Sequence, residues 1–453
     1  MILRGITCDD PAVAAWLASP RQLLGGGGRL TVPLGRLVTA VEAPERDLRE
    51  AFAGLPSNSA GGEAAAARLR WRGFDVTWGA PTAVADLAAV LERFEQWGRD
   101  SLDVIRADPA LLPSLQVGSW FATRVRARVL RRLALEAAMP AATGAASRLG
   151  TIGLRVLADR AFWRGVKNAA TEGDWRRLTV GYSVLLYHRL AGEDRPGQER
   201  FDVPAERFAR ALTALARFGF RPLDAGTVVA FHAPGGPPLD RRRFLVTIDD
   251  ATRDCVAPLA AAAATTPLLF VPTGAVGGGA AWLDGVPVAD WDELLGLAAL
   301  HVGLGGHGRT HANLSELDAA SIEAETAGCY RDLADRTGSP PRAFAYPYGA
   351  HDERVRSAVA SAGFRVAYTT LPGLNGAGTD PYSLRRVSVK SWDTTAAVAW
   401  KAITGEAIPG WWERWLLLRR RAGSLPGRIG RAVGAARPET ARPASGRGLR
   451  RRR

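Results

Sequence analysis

From about residue 178 the chain reads as an α/β fold with parallel strands, and three observations carry that expectation. Strand-like and helix-like segments alternate from there to about residue 400, the rhythm of strand–helix–strand units. One apolar run, Leu245-Val-Thr-Ile248, ends in the adjacent acids Asp249 and Asp250, a charged pair that needs partners, a metal ion or solvent. Finally, His188, the Asp249/Asp250 pair, His307 and the turn Tyr346-Pro-Tyr348 all fall just past strand ends, where a parallel barrel collects its functional groups.

Local pattern defines each element in turn. Residues 180–187 form a hydrophobic strand that runs into His188. Residues 204–218 place Phe208, Leu212, Leu215 and Phe218 on one helical face. A strand at 244–248 is followed by a helix from about 254 to 264 and a buried strand at 268–271. Residues 291–299 are helical, and Val302-Gly-Leu-Gly-Gly leads into His307. A helix at 319–334, an extended run at 343–346, a helix at 353–362 and a strand at 365–369 complete the alternation, before a helical stretch at 395–403. The window 255–283 holds no charged group, but Pro258, Pro267 and Pro272 break it, so it reads as helix and strand rather than a membrane span.

Upstream, residues 29–34 look extended, 64–72 helical and 74–78 a strand. Residues 83–105 have helical spacing interrupted only by Gly98, and a basic helical stretch from about 115 to 170 is split by a loop near 140–147. The expected divisions are 1–110, an accessory region; 111–177, a basic helical connector; 178–405, the strand–helix domain; and 406–453, a Trp/Arg-rich helix and a disordered basic tail.

A length of 453 residues implies two or three domains. The net charge of +14 is concentrated: residues 419–453 hold twelve arginines against the single acid Glu439, a surplus of +11. The body is thus close to neutral, which argues against a nucleic-acid enzyme with a basic folded face. Cys8, Cys255 and Cys329 are odd in number and far apart, fitting neither a disulfide framework nor a thiolate metal site; they read as small buried residues. The N-terminus reaches Asp9 and Asp10 too soon for a secretory signal, so a cytoplasmic location is expected. Trp411, Trp412 and Trp415 beside the arginines give the last helix the composition of an anchor on anionic lipid at the inner membrane face; packing on the body is the plainer alternative.

His307 and His311, four residues apart, bring two imidazoles to one side of a turn or helix, a common way to hold one metal ion. With the acidic pair they propose an aspartate and two histidines around a divalent metal, and a second aspartate free to act as a base. Taken singly, an Asp-Asp at a strand end also serves as a helix cap. His232 and His301 sit in loop or helix-end contexts and read as structural or solvent-exposed.

Four segments in order resemble the polysaccharide deacetylases (carbohydrate esterase family four, the NodB homology domain) over roughly residues 178–400. Thr247-Ile-Asp-Asp-Ala251 is similar to the family's Thr-Phe-Asp-Asp-Gly, and His307-Gly-Arg-Thr-His311 to its His-Ser/Thr-x-x-His. Ala345-Tyr-Pro-Tyr348 is similar to its Arg-x-Pro-Tyr, and Leu185-Leu-Tyr-His188 to the strand that opens many bacterial members. The resemblance implies a distorted (β/α) barrel of the NodB type and metal-dependent removal of N-acetyl groups from an amino-sugar glycan or glycan precursor. It implies Asp250, His307 and His311 as ligands of a divalent metal, most often zinc. It also implies Asp249 as the base for the attacking water and the backbone N–H of Tyr348 as the oxyanion donor. The family's late Leu-x-His acid has no counterpart, because no histidine follows His351. Members resembling the exopolysaccharide deacetylases use the histidine of the early Tyr-His pair instead, and that resemblance implies His188 as general acid, with His351 as its competitor. Three positions depart from the pattern: Ala251 for glycine, Gly308 for a hydroxyl residue, and Ala345 where many members carry an arginine that orients the base.

Residues 55–78 resemble the back half of family-two glycosyltransferases, but Glu63-Ala64 replaces a Glu-Asp pair and no Asp-x-Asp nucleotide site precedes it. An inactive remnant or accessory module is expected. The expected partner is thus an N-acetylated glycan or glycolipid, with no nucleic acid. The rivals are a hydrolase of small non-sugar amides and a non-catalytic glycan-binding protein.

Overall fold

The computed structural model describes residues 29–34, 37–42, 64, 65, 67, 76–78, 87–122, 124–136, 150–191 and 201–423. Strands β1 (Arg29–Leu34), β2 (Leu37–Glu42) and β3 (Val76–Trp78) form a small antiparallel sheet. It takes in the segment expected to be extended at 29–34 and most of the strand expected at 74–78. Most of the glycosyltransferase-like segment, and Cys8, lie outside the described residues.

Helices α1 (Leu87–Ala107), α2 (Val125–Glu136), α3 (Gly150–Ala169) and α4 (Glu172–Thr179) follow. The helix expected from about 115 begins only at Val125. Before it, Pro109–Ser114 and Gln116–Phe121 wind as 3₁₀ turns, because Pro109 and Pro113 withhold backbone donors. Gly98, an interruption in the sequence pattern, is where α1 and α3 touch: a Cβ there would lie 2.0 Å from the Phe162 carbonyl oxygen, and one on Gly165 would lie 1.8 Å from that of Glu95. The pair of glycines lets the two backbones meet.

The strand–helix domain then runs β4 (Tyr182–Tyr187), α5 (Ala205–Arg217), β5 (Arg221–Pro222), α6 (Ala225–His232), β6 (Arg243–Ile248), α7 (Val256–Ala261) and β7 (Leu268–Val271). A two-stranded excursion, β8 (Gly279–Ala280) and β9 (Val286–Pro287), precedes α8 (Trp291–Ala299) and β10 (Gly303–Gly306). The order closes with α9 (Ala319–Thr337), β11 (Ala343–Ala345), α10 (Glu353–Ala362), β12 (Val366–Tyr368), β13 (Val387–Ser388) and α11 (Thr395–Thr404). Several helix starts carry side-chain caps: Asp290 and Glu293 form a capping box on α8, and Asp318, Asp352 and Thr394 cap α9, α10 and α11.

The main sheet is parallel, ordered β12-β11-β10-β7-β6-β4-β13. Residues 384–388 bring its two ends together: Leu384 bridges Tyr368 of β12, and β13 pairs with β4. The sheet is therefore a distorted (β/α) barrel of the NodB type, as expected. Alternate strand residues face two different cores. Tyr182, Val184, Leu245, Leu268, Phe270 and Tyr368 belong to one cluster, whereas Leu185, Tyr187, Val246, Ile248, Leu269 and Val271 belong to another with α5, α7 and α8. Burial on both faces explains why these strands are continuous apolar runs. The first cluster also contains Phe94, Trp120, Phe121, Phe162 and Trp163, so the helices before the barrel share its core. A second unit, Ile408–Arg453, is described only in its helix α12 (Gly410–Gly423). Among the described residues no helix is long and apolar enough to cross a membrane.

Candidate active site

Strand β6 delivers both acids. It is buried along its apolar length, and at its end Asp250 (φ +71) and Ala251 (φ +47) turn the chain sharply in the left-handed region. Such torsions cost a residue with a Cβ roughly 1–2 kcal/mol, so Ala251 keeps the backbone form where the resemblance calls for glycine. Its methyl is fully buried and its carbonyl accepts the N–H of Ala289, which ties the β8–β9 excursion to this turn.

His307 follows β10 directly, and His311 lies one loop further on with φ +61. With Asp250 they make a buried set whose ligand atoms all lie within 4.8 Å of one another. His311 Nε2 is 3.3 Å from Asp250 Oδ1, and His307 Nε2 is 3.8 Å from the same oxygen. Donors about 2.1 Å from a tetrahedral ion stand about 3.4 Å apart, so the set has the spacing of a metal site. Protonation fits as well. His307 Nδ1 lies 2.7 Å from the Ala345 carbonyl oxygen, which can only accept, so Nδ1 is the donor and Nε2 is the nitrogen that faces Asp250. Burial, with His307 beside it, pushes the His311 imidazole down to about 3, keeping it in the neutral form that coordinates.

Asp249 is placed differently. Arg386, fully buried, grips it with two parallel bonds, Nη1 to Oδ1 at 2.6 Å and Nη2 to Oδ2 at 2.8 Å. Burial alone would raise this carboxyl, but Arg386, with His307 beside it, more than offsets that and holds it down at about 2. Asp249 stays ionised, 4.0 Å from His307 Nε2.

His188 ends β4. The adjoining Arg189 forms ion pairs with Asp202 (3.1 Å) and Asp254 (2.5 Å), and the Cys255 thiol donates to the His188 carbonyl (3.3 Å). The residue is half-buried, and its buried Nδ1 has no partner among the described residues. Burial lowers its pKa, while Asp250 and Asp249 act to raise it, which places the ring in the field of both acids. Tyr348 sits at φ +59 in the turn after β11, exposed, with its ring against His311 in an edge-on contact at 4.7 Å between centroids. His351 points elsewhere: it stacks on Tyr346 (4.7 Å), with Nδ1 bonded to the Gly349 carbonyl and Nε2 to the Ser383 hydroxyl. Both nitrogens are committed, so His351 is not arranged as an acid. His232 is half-buried and bonded to the Tyr182 hydroxyl (2.9 Å), and His301 is exposed.

Two residues escape sequence reasoning. Arg386 belongs to the segment Leu384-Arg-Arg-Val387, which carries no histidine, and nothing local marks one of its arginines as buried. Trp282 lies on the excursion, donates from Nε1 to Asp250 Oδ1 (2.8 Å) and stacks on His311 (4.3 Å, 7° between planes). Its signal was the single tryptophan in a Gly/Ala-rich, uncharged window.

The sequence pattern of the polysaccharide deacetylase family matches residues 240–367, which hold both acids, both histidines and the Tyr346–Tyr348 turn. This stretch is a polysaccharide deacetylase domain. No curated protein matches the chain. Among solved structures, a Streptococcus pyogenes deacetylase in complex with acetate is 16% identical, covering 49% of this chain and 98% of its own, with a TM-score of 0.43. IcaB from Ammonifex degensii is 25% identical over 49% of this chain and 97% of its own, TM-score 0.42. A polysaccharide deacetylase from Bacillus cereus is 21% identical over 48% and 67%, TM-score 0.41.

Proposed function

We propose that the chain is a metal-dependent amide hydrolase that removes N-acetyl groups from an amino-sugar glycan or glycan precursor. The observation that carries this reading is the division of labour in the acidic pair: Asp250 faces the two imidazoles, and Asp249 is held ionised by Arg386. Asp250, His307 and His311 would hold the metal, with zinc favoured by the nitrogen-rich donor set. The chemistry such an ion supplies is polarisation of an amide carbonyl and acidification of water. Asp249 then accepts the proton of the attacking water, its orientation fixed by the guanidinium fork. The backbone N–H of Tyr348 meets the charge that develops on the carbonyl oxygen. His188 passes a proton to the leaving amine, and the neighbouring Asp250 and Asp249 favour its protonated form against the lowering effect of burial.

Acetate release from N-acetylglucosamine oligomers, measured beside the metal content of the protein, tests this reading. Asp249→Asn should retain metal and lose at least about 10²-fold in rate. A metal-free wild type that releases no acetate from any glycan would favour a glycan-binding role. Cleavage confined to small amides would favour the non-sugar alternative.

We also propose that the protein works at the cytoplasmic membrane face. Helix α12 exposes Trp411, Trp415 and Leu418, spaced for one helical face, and the sequence continues into the arginine-rich segment. Fractionation that recovers the full chain entirely away from membranes would overturn this.

A further inference from the structure

The loop between the two histidines is held by a residue outside every motif discussed above. Glu325 lies in α9, and its side chain is 8% exposed. Its Oε2 accepts the backbone N–H groups of Arg309 (2.6 Å) and Thr310 (3.0 Å), and its Oε1 accepts the Thr310 hydroxyl (2.7 Å). A buried carboxylate is costly unless hydrogen-bonded, and here these three donors come from two consecutive residues of one loop. The acceptor side of that loop is also tied: Thr273 and Gly274, just after β7, donate their N–H groups to the carbonyls of Gly308 (3.1 Å) and Arg309 (2.8 Å).

Gly308 belongs to the same arrangement. It sits at φ +72, and a Cβ there would lie 2.8 Å from Glu325 Oε2. The hydroxyl residue expected at this position would therefore collide with the carboxylate that orders the loop. Glycine and glutamate together replace it.

We propose that Glu325 is a positioning residue for the metal site: its carboxylate sets the bend at residues 308–310 that turns His307 and His311 toward Asp250. Its effect on metal affinity rests on the metal reading above, whereas its effect on the loop does not.

In the full-length protein, Glu325→Ala removes the acceptor, while Glu325→Gln keeps one carbonyl oxygen for the two amides. Zinc titration against a chromophoric chelator should show about 10–100-fold weaker binding for the alanine variant and near wild-type binding for glutamine. In metal-free protein, hydrogen exchange at the Arg309 and Thr310 amides should accelerate about 10-fold or more in Glu325→Ala, with amides of β4 unchanged. Gly308→Ala should weaken zinc binding more with Glu325 present than with alanine there, since the steric conflict needs both. Thr310→Val, a milder cut at the same clamp, should give a smaller loss in the same direction and covers the case of an alanine variant that does not fold. Unchanged exchange together with unchanged zinc affinity in Glu325→Ala would overturn the proposal. A wild type that binds no zinc would instead overturn the metal reading, and the exchange rates would still judge the clamp.

Discussion

Arg386 and Asp249 form a bidentate pair with almost no solvent contact. Removing one partner of such a pair strands a buried charge, at a cost of about 3–5 kcal/mol. Arg386→Lys keeps a charge but not the planar fork, so kcat should fall about 10–100-fold while zinc content stays at the wild-type level; unchanged kcat would remove Arg386 from the positioning of the base. His188 and His351 separate by leaving group. His188→Gln should slow acetamide cleavage about 10²-fold or more but spare 4-nitrophenyl acetate, whose phenolate leaves without a proton, whereas His351→Gln should alter neither rate. Equal damage to both substrates by His188→Gln would deny it the acid role. The metal-ligand candidates were legible because each lies within a short motif at a strand end. Arg386 was not, because its burial depends on a strand pairing that brings residues 386 and 249 together across the barrel.

At the scale of elements, strand–helix alternation was readable because both faces of the sheet are buried and each helix has a narrow apolar face. The 3₁₀ turns at 109–121 were not, since prolines at two spaced positions defeat a helical count without marking what replaces it. Packing of α6 against β4 carries its own pH dependence. Burial drives the His232 imidazole, ordinarily near 6.5, down to about 3, so the folded protein keeps it neutral while the unfolded chain protonates it. This neutral-histidine contribution is intact above about pH 6.5 and is lost progressively as pH falls from there toward 3. His232→Gln should flatten the fall in Tm between pH 6.5 and 4 by thermal denaturation; an unchanged slope would place the acid sensitivity elsewhere.

For the whole molecule, division into a neutral body and a basic end followed from counting charge along the chain, but the sharing of one core between the N-terminal helices and the barrel did not. That core is assembled from residues as far apart as Phe94 and Tyr368, and no local pattern announces it. A chain ending at Ala407 should keep its rate on soluble oligosaccharides yet lose binding to vesicles containing phosphatidylserine, measured by co-sedimentation at low salt. Retained vesicle binding would transfer the interaction to the body. Closure of the sheet by residues 384–388 has a consequence for the order of synthesis. A ribosome that has released everything up to β12 has already delivered the three metal-ligand candidates, but not the guanidinium that steadies their neighbouring base. On the proposed metal-dependent reading, the nascent protein would complete its ligand set before its base is steadied, and the step that shuts the barrel is also the step that completes the site.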